Sequence, residues 1–253
     1  MTKKIGLLGC GKIGRQILEH IVTTTDSQIS FVQDLFYQPE NGENFPIVQK
    51  QDSTLLQKTD LVIECATADV LKQNFDEMIK YCDLLIFSVT AFCDAQFEEH
   101  ARQMAQQYQH HIYLPHGAIL GVDGVFDGKT LISSVSIVTT KNPKSLGRND
   151  IQRTVVYEGS TRQACQLYPR NVNVHATIAL AGIGFDKTQS VIISDPAVST
   201  NSHTISVQGD GISFQIEISS FASGSVTGRY TPYSACGSVD RVLNQNRDVF
   251  CFV

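Results

Sequence analysis

The stretch Gly6-Leu7-Leu8-Gly9-Cys10-Gly11-Lys12-Ile13-Gly14, GLLGCGKIG, decides the fold. Gly9, Gly11 and Gly14 make the spacing G-x-G-x-x-G. The spacing alone is a weak signal, and its surroundings give it weight. Before it, KKIGLLG reads as a short apolar strand. After it, Ile13, Ile17, Leu18 and Ile21 recur at helical spacing. A glycine-rich turn between a strand and a helix lets a pyrophosphate approach the backbone and packs the helix close to the strand. The helix start adds unpaired N–H groups and the positive end of its dipole. Gly9, Cys10, Gly11, Lys12, Ile13 and Gly14 are therefore expected to line a dinucleotide site. Asp34 follows Gly14 by 20 residues, at the end of the strand-like QISFVQD. A carboxylate there accepts hydrogen bonds from ribose hydroxyls and repels a 2′-phosphate. The next residues, LFY, bring no arginine. NAD is the expected cofactor, with NADP as the alternative.

Outward from this turn, the pattern alternates. LFYQPENGENFP is rich in turn formers and reads as a loop. DLVIECA, DLLIFSV and HIYLP read as strands, with ADVLKQNFDEMIKY and AQFEEHARQMAQQYQ as amphipathic helices between them. Continuous apolar strands alternating with such helices mean a parallel sheet covered on both faces. Cys65 and Ala66 end the VIECA strand, where backbone faces a bound cofactor. Beyond Pro115 the rhythm changes. GAILGVDGVFDG reads as a loop with a short helix, TRQACQLYP and VHATIALAGIG as helices. TLISSVSIVTT, QRTVVYEGS, QSVIISD, HTISVQ and ISFQIEISSF read as strands, the last two flanking a GDG turn. The tail YSACGSVDRVLNQ reads as a helix. The expected class is α/β: a Rossmann dinucleotide-binding domain over residues 1–116, completed by a C-terminal helix in 230–253, and a largely antiparallel α+β domain over 117–229.

Composition sets the outer limits. The chain has 253 residues, 42% of them hydrophobic and 18% charged, which suits a globular protein with a substantial core. No apolar run approaches the roughly 20 residues that span a bilayer, and the N-terminus has no signal-peptide pattern, so no membrane is expected. A net charge of −5 argues against nucleic acid. The seven cysteines show no C-x-x-C spacing and read as reduced thiols of a cytoplasmic protein. No histidine or cysteine cluster has zinc spacing, and no metal is expected.

The motifs GCGKIG, VIECAT, SVTAFCD, GAILGVDGV, IVTTKNPKSL, YPRNVNVHATIALAGIG, and DPAVSTNSH leading into QGDG follow one another in order. With them the chain resembles the L-aspartate dehydrogenase family over nearly its whole length. The resemblance implies a Rossmann domain, an α+β catalytic domain that carries a homodimer contact, and a nicotinamide cofactor. It also implies reversible oxidation of L-aspartate to iminoaspartate, which hydrolyses to oxaloacetate and ammonia or feeds NAD biosynthesis. The Asn-x-His motif places the catalytic residues at Asn201 and His203.

That chemistry is sound for these residue types. An imidazole suits proton transfer from the substrate amine, or activation of water for imine hydrolysis. Asn201, two residues away on an extended segment, shares its face and can hold a carboxylate. Asn171 and Asn173 either line the site, Asn173 towards the cofactor, or cap the adjacent helix. Lys141 in TTKNP reads as a solvated loop lysine or as a carboxylate partner. Lys144, Arg148, Arg170 and Arg229 complete the cation inventory. His116 follows a strand end and can reach cofactor or substrate, whereas His110 and His111 read as surface residues. After ISFQIEI the chain departs from the family, with SSFASGSVTGRYTPYSACGS where an Asn-Pro-Lys-Thr-Ser-like segment is usual. Thr227, Thr231, Ser234 and Arg229 stand there instead. Two alternatives remain open. One is a dehydrogenase or imine reductase for another small amino or keto acid. Dihydrodipicolinate reductase shares the architecture, but its paired-histidine helix is not matched by His110-His111. The other is a non-catalytic NAD-binding regulatory protein.

Overall fold

The computed structural model describes residues 2–39, 43–221 and 228–243. It divides into two compact units. The first draws on Met1–Ala91, Ala95–Pro115 and Pro232–Val253, the second on Phe92–Asp94 and His116–Thr231.

The first unit is built on β1 (Lys4–Leu8), β2 (Gln28–Gln33), β3 (Ile47–Val48), β4 (Leu61–Glu64), β5 (Asp83–Ile86) and β6 (Ile112–Tyr113). They form one sheet in the order β3-β2-β1-β4-β5-β6. Every pairing is parallel. Ile5, Leu7, Val62, Ile63, Leu84 and Ile86 are buried, as strands covered on both faces require. The helices are α1 (Lys12–Thr24), α2 (Ser53–Leu56), α3 (Ala68–Ile79) and α4 (Ala95–Tyr108). Thr67 caps α3 by accepting a hydrogen bond from Val70 N. α1 turns Ile17, Leu18 and Ile21 into the core, and the late helix α8 (Tyr230–Val242) adds Ala235, Val239 and, just beyond its end, Leu243 to the same cluster. The strand order reverses between β1 and β4. In open α/β sheets, the crevice beyond the C-terminal ends of such a strand pair is where ligands bind.

Some boundaries differ from the sequence pattern. β3 and α2 fill a stretch the pattern left unassigned. β5 stops at Ile86, and Val89–Cys93 is a 3₁₀ turn rather than strand. β4 stops at Glu64, so Cys65 and Ala66 lie beyond the strand. There the Glu64 side chain turns back on the chain, its Oε1 accepting from Ala66 N at 2.7 Å.

The second unit carries β7 (Ile132–Lys141), β8 (Thr154–Ser160), β9 (Gln189–Ser194), β10 (Thr200–Gly209) and β11 (Ile212–Phe221) in the order β11-β10-β7-β9-β8. Only β7–β9 is parallel. The other pairs are antiparallel. One sheet face packs Val135, Ile137, Ile205 and Val207 against Val125 of α5 (Val122–Asp127) and Ile178 of α7 (Asn173–Ala181). α6 (Thr161–Leu167) follows β8 directly. No helix among the described residues is long and apolar enough to cross a membrane.

Candidate active site

The glycine turn follows β1 in the first unit. Gly9 has φ +88°, and a Cβ there would lie 2.8 Å from the Ala66 backbone. A Cβ on Gly14 would meet the Gly9 carbonyl oxygen at 2.4 Å, so the start of α1 is held against the turn. Gly11 differs, since a Cβ on it would meet nothing within 4 Å. It is the N-cap of α1, and no side chain caps that end. An open backbone at an uncapped helix start fits a pyrophosphate. Cys10 is buried, with its thiol pushed up to about 12 by burial, while Lys12 is exposed and Ile13 half-buried.

Asp34 stands immediately after β2. Its Oδ2 accepts from Cys10 N at 2.7 Å, and its Oδ1 accepts from Phe36 N and Tyr37 N at 2.7 and 2.9 Å. One carboxylate thus ties the glycine turn to the end of β2. The sequence pattern missed two further residues here. The Arg15 guanidinium lies 4.9 Å over the Tyr37 ring, an arginine from α1 rather than from the residues after Asp34. Glu64 is fully buried, and besides Ala66 N it accepts from Ser88 Oγ at 2.7 Å and Ser88 N at 2.9 Å. Burial pushes its carboxyl above the usual range, although these hydrogen bonds oppose the shift. It braces the two turns that follow β4 and β5.

In the second unit, Asn201 and His203 both lie in β10, since that strand begins at Thr200. His203 is paired across from Thr139 in β7. Its Nδ1 lies 2.8 Å from Thr139 Oγ1, and the same hydroxyl lies 2.6 Å from His175 Nε2. His175 Nδ1 is 2.8 Å from Ser190 Oγ, which is 2.7 Å from Thr161 Oγ1. Thr161 Oγ1 donates to Thr188 O at 3.1 Å. All these side chains are buried. Burial, with Lys141 adding charge repulsion, lowers His203 to about 3. Burial also depresses His175, helped by His203 and Lys141.

Lys141 is not a solvated loop residue. It is the last residue of β7, 5% exposed, and its Nζ donates to the Asn171 backbone and side-chain oxygens at 3.2 and 3.3 Å. Burial lowers it to about 8. Neither Asn171 nor Asn173 caps α7, whose N-cap is Val172 with no side-chain bond. Asn173 is the half-buried first residue of that helix. Lys144, Arg148, Arg170 and Arg229 are exposed, and Arg148 pairs with Asp150. His116 is half-buried. His110 is half-buried rather than on the surface, with Nδ1 donating to Ile79 O at 2.7 Å, whereas His111 is exposed. Thr231 and Ser234 are half-buried, and Thr227 lies outside the described residues. Thr139, His175 and Ser190 had no role in the sequence pattern. The signal for His175 was its place on the core face of α7, one turn before Ile178 and Ala179.

Parallel strands in this order, a glycine turn at the switch point and an acidic residue just after β2 put the chain among the dinucleotide-binding oxidoreductases. Comparison with known proteins narrows the class. The profile described as "Homoserine dehydrogenase, NAD binding domain" matches residues 9–115, and "Aspartate dehydrogenase, C-terminal" matches residues 126–242. L-aspartate dehydrogenase of Nitrosopumilus maritimus is 35% identical over 82% of this chain and 84% of its own. The crystal structure of aspartate dehydrogenase from Thermotoga maritima superposes with a TM-score of 0.82 at 26% identity, covering all of both chains. Dihydrodipicolinate reductase from Paenisporosarcina shares the fold, with a TM-score of 0.53 at 13% identity, over 97% of this chain and 94% of its own. The chain belongs to the L-aspartate dehydrogenase family.

Proposed function

We propose that the protein oxidises L-aspartate reversibly to iminoaspartate, which hydrolyses to oxaloacetate and ammonia, with NAD preferred over NADP. The observation that carries this reading is the pairing of a buried amine, Lys141, with a buried imidazole, His203, in the second unit. A small anionic amino acid needs both a cation for a carboxylate and a group that handles the amine proton.

The first unit is the dinucleotide-binding domain in this reading. Gly9, Gly11, Gly14 and the backbone of Cys10, Lys12 and Ile13 hold the pyrophosphate, and Asp34 holds the adenosine ribose. Cys65 and Ala66 contribute further cofactor contacts. A bound nicotinamide ring supplies a hydride acceptor for the substrate Cα. The second unit supplies the acid–base work. Lys141 binds a carboxylate, Asn201 orients it, and neutral His203 takes the proton from the substrate amine or from the water that attacks the imine. An arriving dicarboxylate offsets the Lys141 charge, which raises the basicity of His203 when the proton must move. Four of the five candidate cations are exposed, so the second carboxylate is met by amide donors rather than by Arg229.

The test is initial rates with NAD and NADP against aspartate, asparagine, glutamate and alanine, and the reverse reaction with oxaloacetate, ammonia and NADH. Aspartate is expected to lead. Alanine matching it overturns the substrate reading, and binding of NAD without turnover on any of them favours the regulatory reading. His203→Ala is expected to lower kcat by roughly 10²–10⁴ with little change in NAD affinity. The expected assembly is a cytoplasmic homodimer through the second unit, whose sheet exposes Ser134, Gln215 and Glu217 on the face away from α7. Sedimentation equilibrium tests the dimer.

A further inference from the structure

The groups behind His203 form a chain of hydrogen bonds, and donation by the Thr161 hydroxyl at its far end sets its direction. The Thr188 carbonyl can only accept. The Thr161 hydroxyl has one hydrogen and spends it there, at 3.1 Å. Its oxygen therefore accepts from Ser190, at 2.7 Å. Ser190 has then used its hydrogen, so its oxygen accepts from His175 Nδ1–H, at 2.8 Å. A neutral imidazole with its proton on Nδ1 has only a lone pair on Nε2. That lone pair takes the Thr139 hydroxyl hydrogen, at 2.6 Å. The Thr139 oxygen is left to accept from His203 Nδ1–H, at 2.8 Å.

We propose that Thr139 and His175 are positioning residues that hold neutral His203 with its proton on Nδ1, leaving the Nε2 lone pair to take the substrate proton. This rests on the reading of His203 as the proton acceptor. The direction of the chain depends on the Thr161 hydroxyl donating to the Thr188 carbonyl and on a neutral His175. A charged His175 would donate through both nitrogens and force Thr139 to donate to His203 Nδ1, placing the His203 proton on Nε2. His175 is fully buried, and both His203 and Lys141 disfavour a charge on it. Fixing one ring nitrogen through a partner sets the chemistry of the other. The structure thus contains a tautomer lock four side chains deep, from Thr139 through His175 and Ser190 to Thr161, anchored on the Thr188 backbone carbonyl.

The test is ¹⁵N NMR of histidine-labelled protein at neutral pH, with the His203 signals identified by their loss in His203→Gln. Both His203 and His175 are expected as Nδ1–H forms, the reverse of the Nε2–H form that unconstrained histidine favours. Thr139→Val is expected to shift His203 towards Nε2–H and to lower kcat roughly tenfold or more, with KM for NAD unchanged. Thr139→Ser is expected to retain both tautomer and rate. Nε2–H at His203 in the unmodified protein overturns the proposal, as does Thr139→Val with normal kcat. If Thr139→Val does not fold, the unmodified protein and Thr139→Ser still decide. Normal turnover in His203→Gln sinks the proton-acceptor reading alone. A lost tautomer with an inactive His203→Gln sinks the lock alone.

Discussion

At the residue scale, two carboxylates organise the cofactor side by holding backbone rather than by facing solvent. Asp34 accepts three N–H groups before any ribose arrives. Its removal therefore costs loop order as well as the proposed ribose contact. Asp34→Ala is expected to raise KM for NAD about tenfold, the size of one lost charge-assisted hydrogen bond. It also removes the repulsion of a 2′-phosphate, so the NAD/NADP ratio of kcat/KM falls. Arg15, over Tyr37, is the cation that would then serve the phosphate. Adding Arg15→Ala to Asp34→Ala is expected to reverse the gain with NADP, and an unchanged gain would exclude Arg15. Glu64 has no counterpart on the surface. Glu64→Ala strands Ala66 N and Ser88 N, at about 1–3 kcal/mol for each unpaired group. Urea unfolding should show that loss, with a weaker NAD affinity beside it.

At the scale of elements, what could be read from the sequence was what repeats locally. The β1–α1–β2 arrangement was legible because a continuous apolar run precedes the fixed glycines and apolar residues keep a period near 3.6 after them. The shared face of Asn201 and His203 followed from the same rule, once their segment was taken as extended. Thr139, His175 and Lys141 were not legible, because their roles come from cross-strand register. Thr139 meets His203 only because β10 pairs with β7, and Lys141 is buried only because β7 runs on beside β9, where Lys141 lies opposite Ser194. A lysine before Asn-Pro reads locally as the start of a loop. The burial of Lys141 has a measurable sign. Its ammonium is pulled down to about 8, so it is charged below that pH and neutral above. KM for aspartate is expected to climb as pH rises through 8. Lys141→Arg, which stays charged, should flatten that climb. A climb of equal steepness in both proteins would remove Lys141 from the substrate site.

At the scale of the whole molecule, the buried imidazoles link stability to acidity. The folded pKa of His203 lies near 3, below the value of 6.5 it starts from, and that of His175 is lowered too. The unfolded chain thus binds more protons between those values. Stability is complete above pH 6.5 and falls as pH drops through that window, by at most about 1.4 kcal/mol per pH unit for each group. Glu64, with its carboxyl pushed up, acts in the opposite sense. The comparison that isolates the imidazole is urea unfolding of the unmodified protein and His203→Gln between pH 7.5 and 5.5. The variant should show the shallower fall, and equal slopes would contradict a buried neutral His203. The return of α8 to the first unit bears on biosynthesis. Ala235, Val239 and Leu243 complete a cluster begun by Ile17, Leu18 and Ile21. A ribosome must translate the entire second unit before that cluster can close. A chain released from the ribosome after Thr231 has its whole second unit but a first unit with an unsealed oily flank, the kind of exposed apolar surface that leads to aggregation.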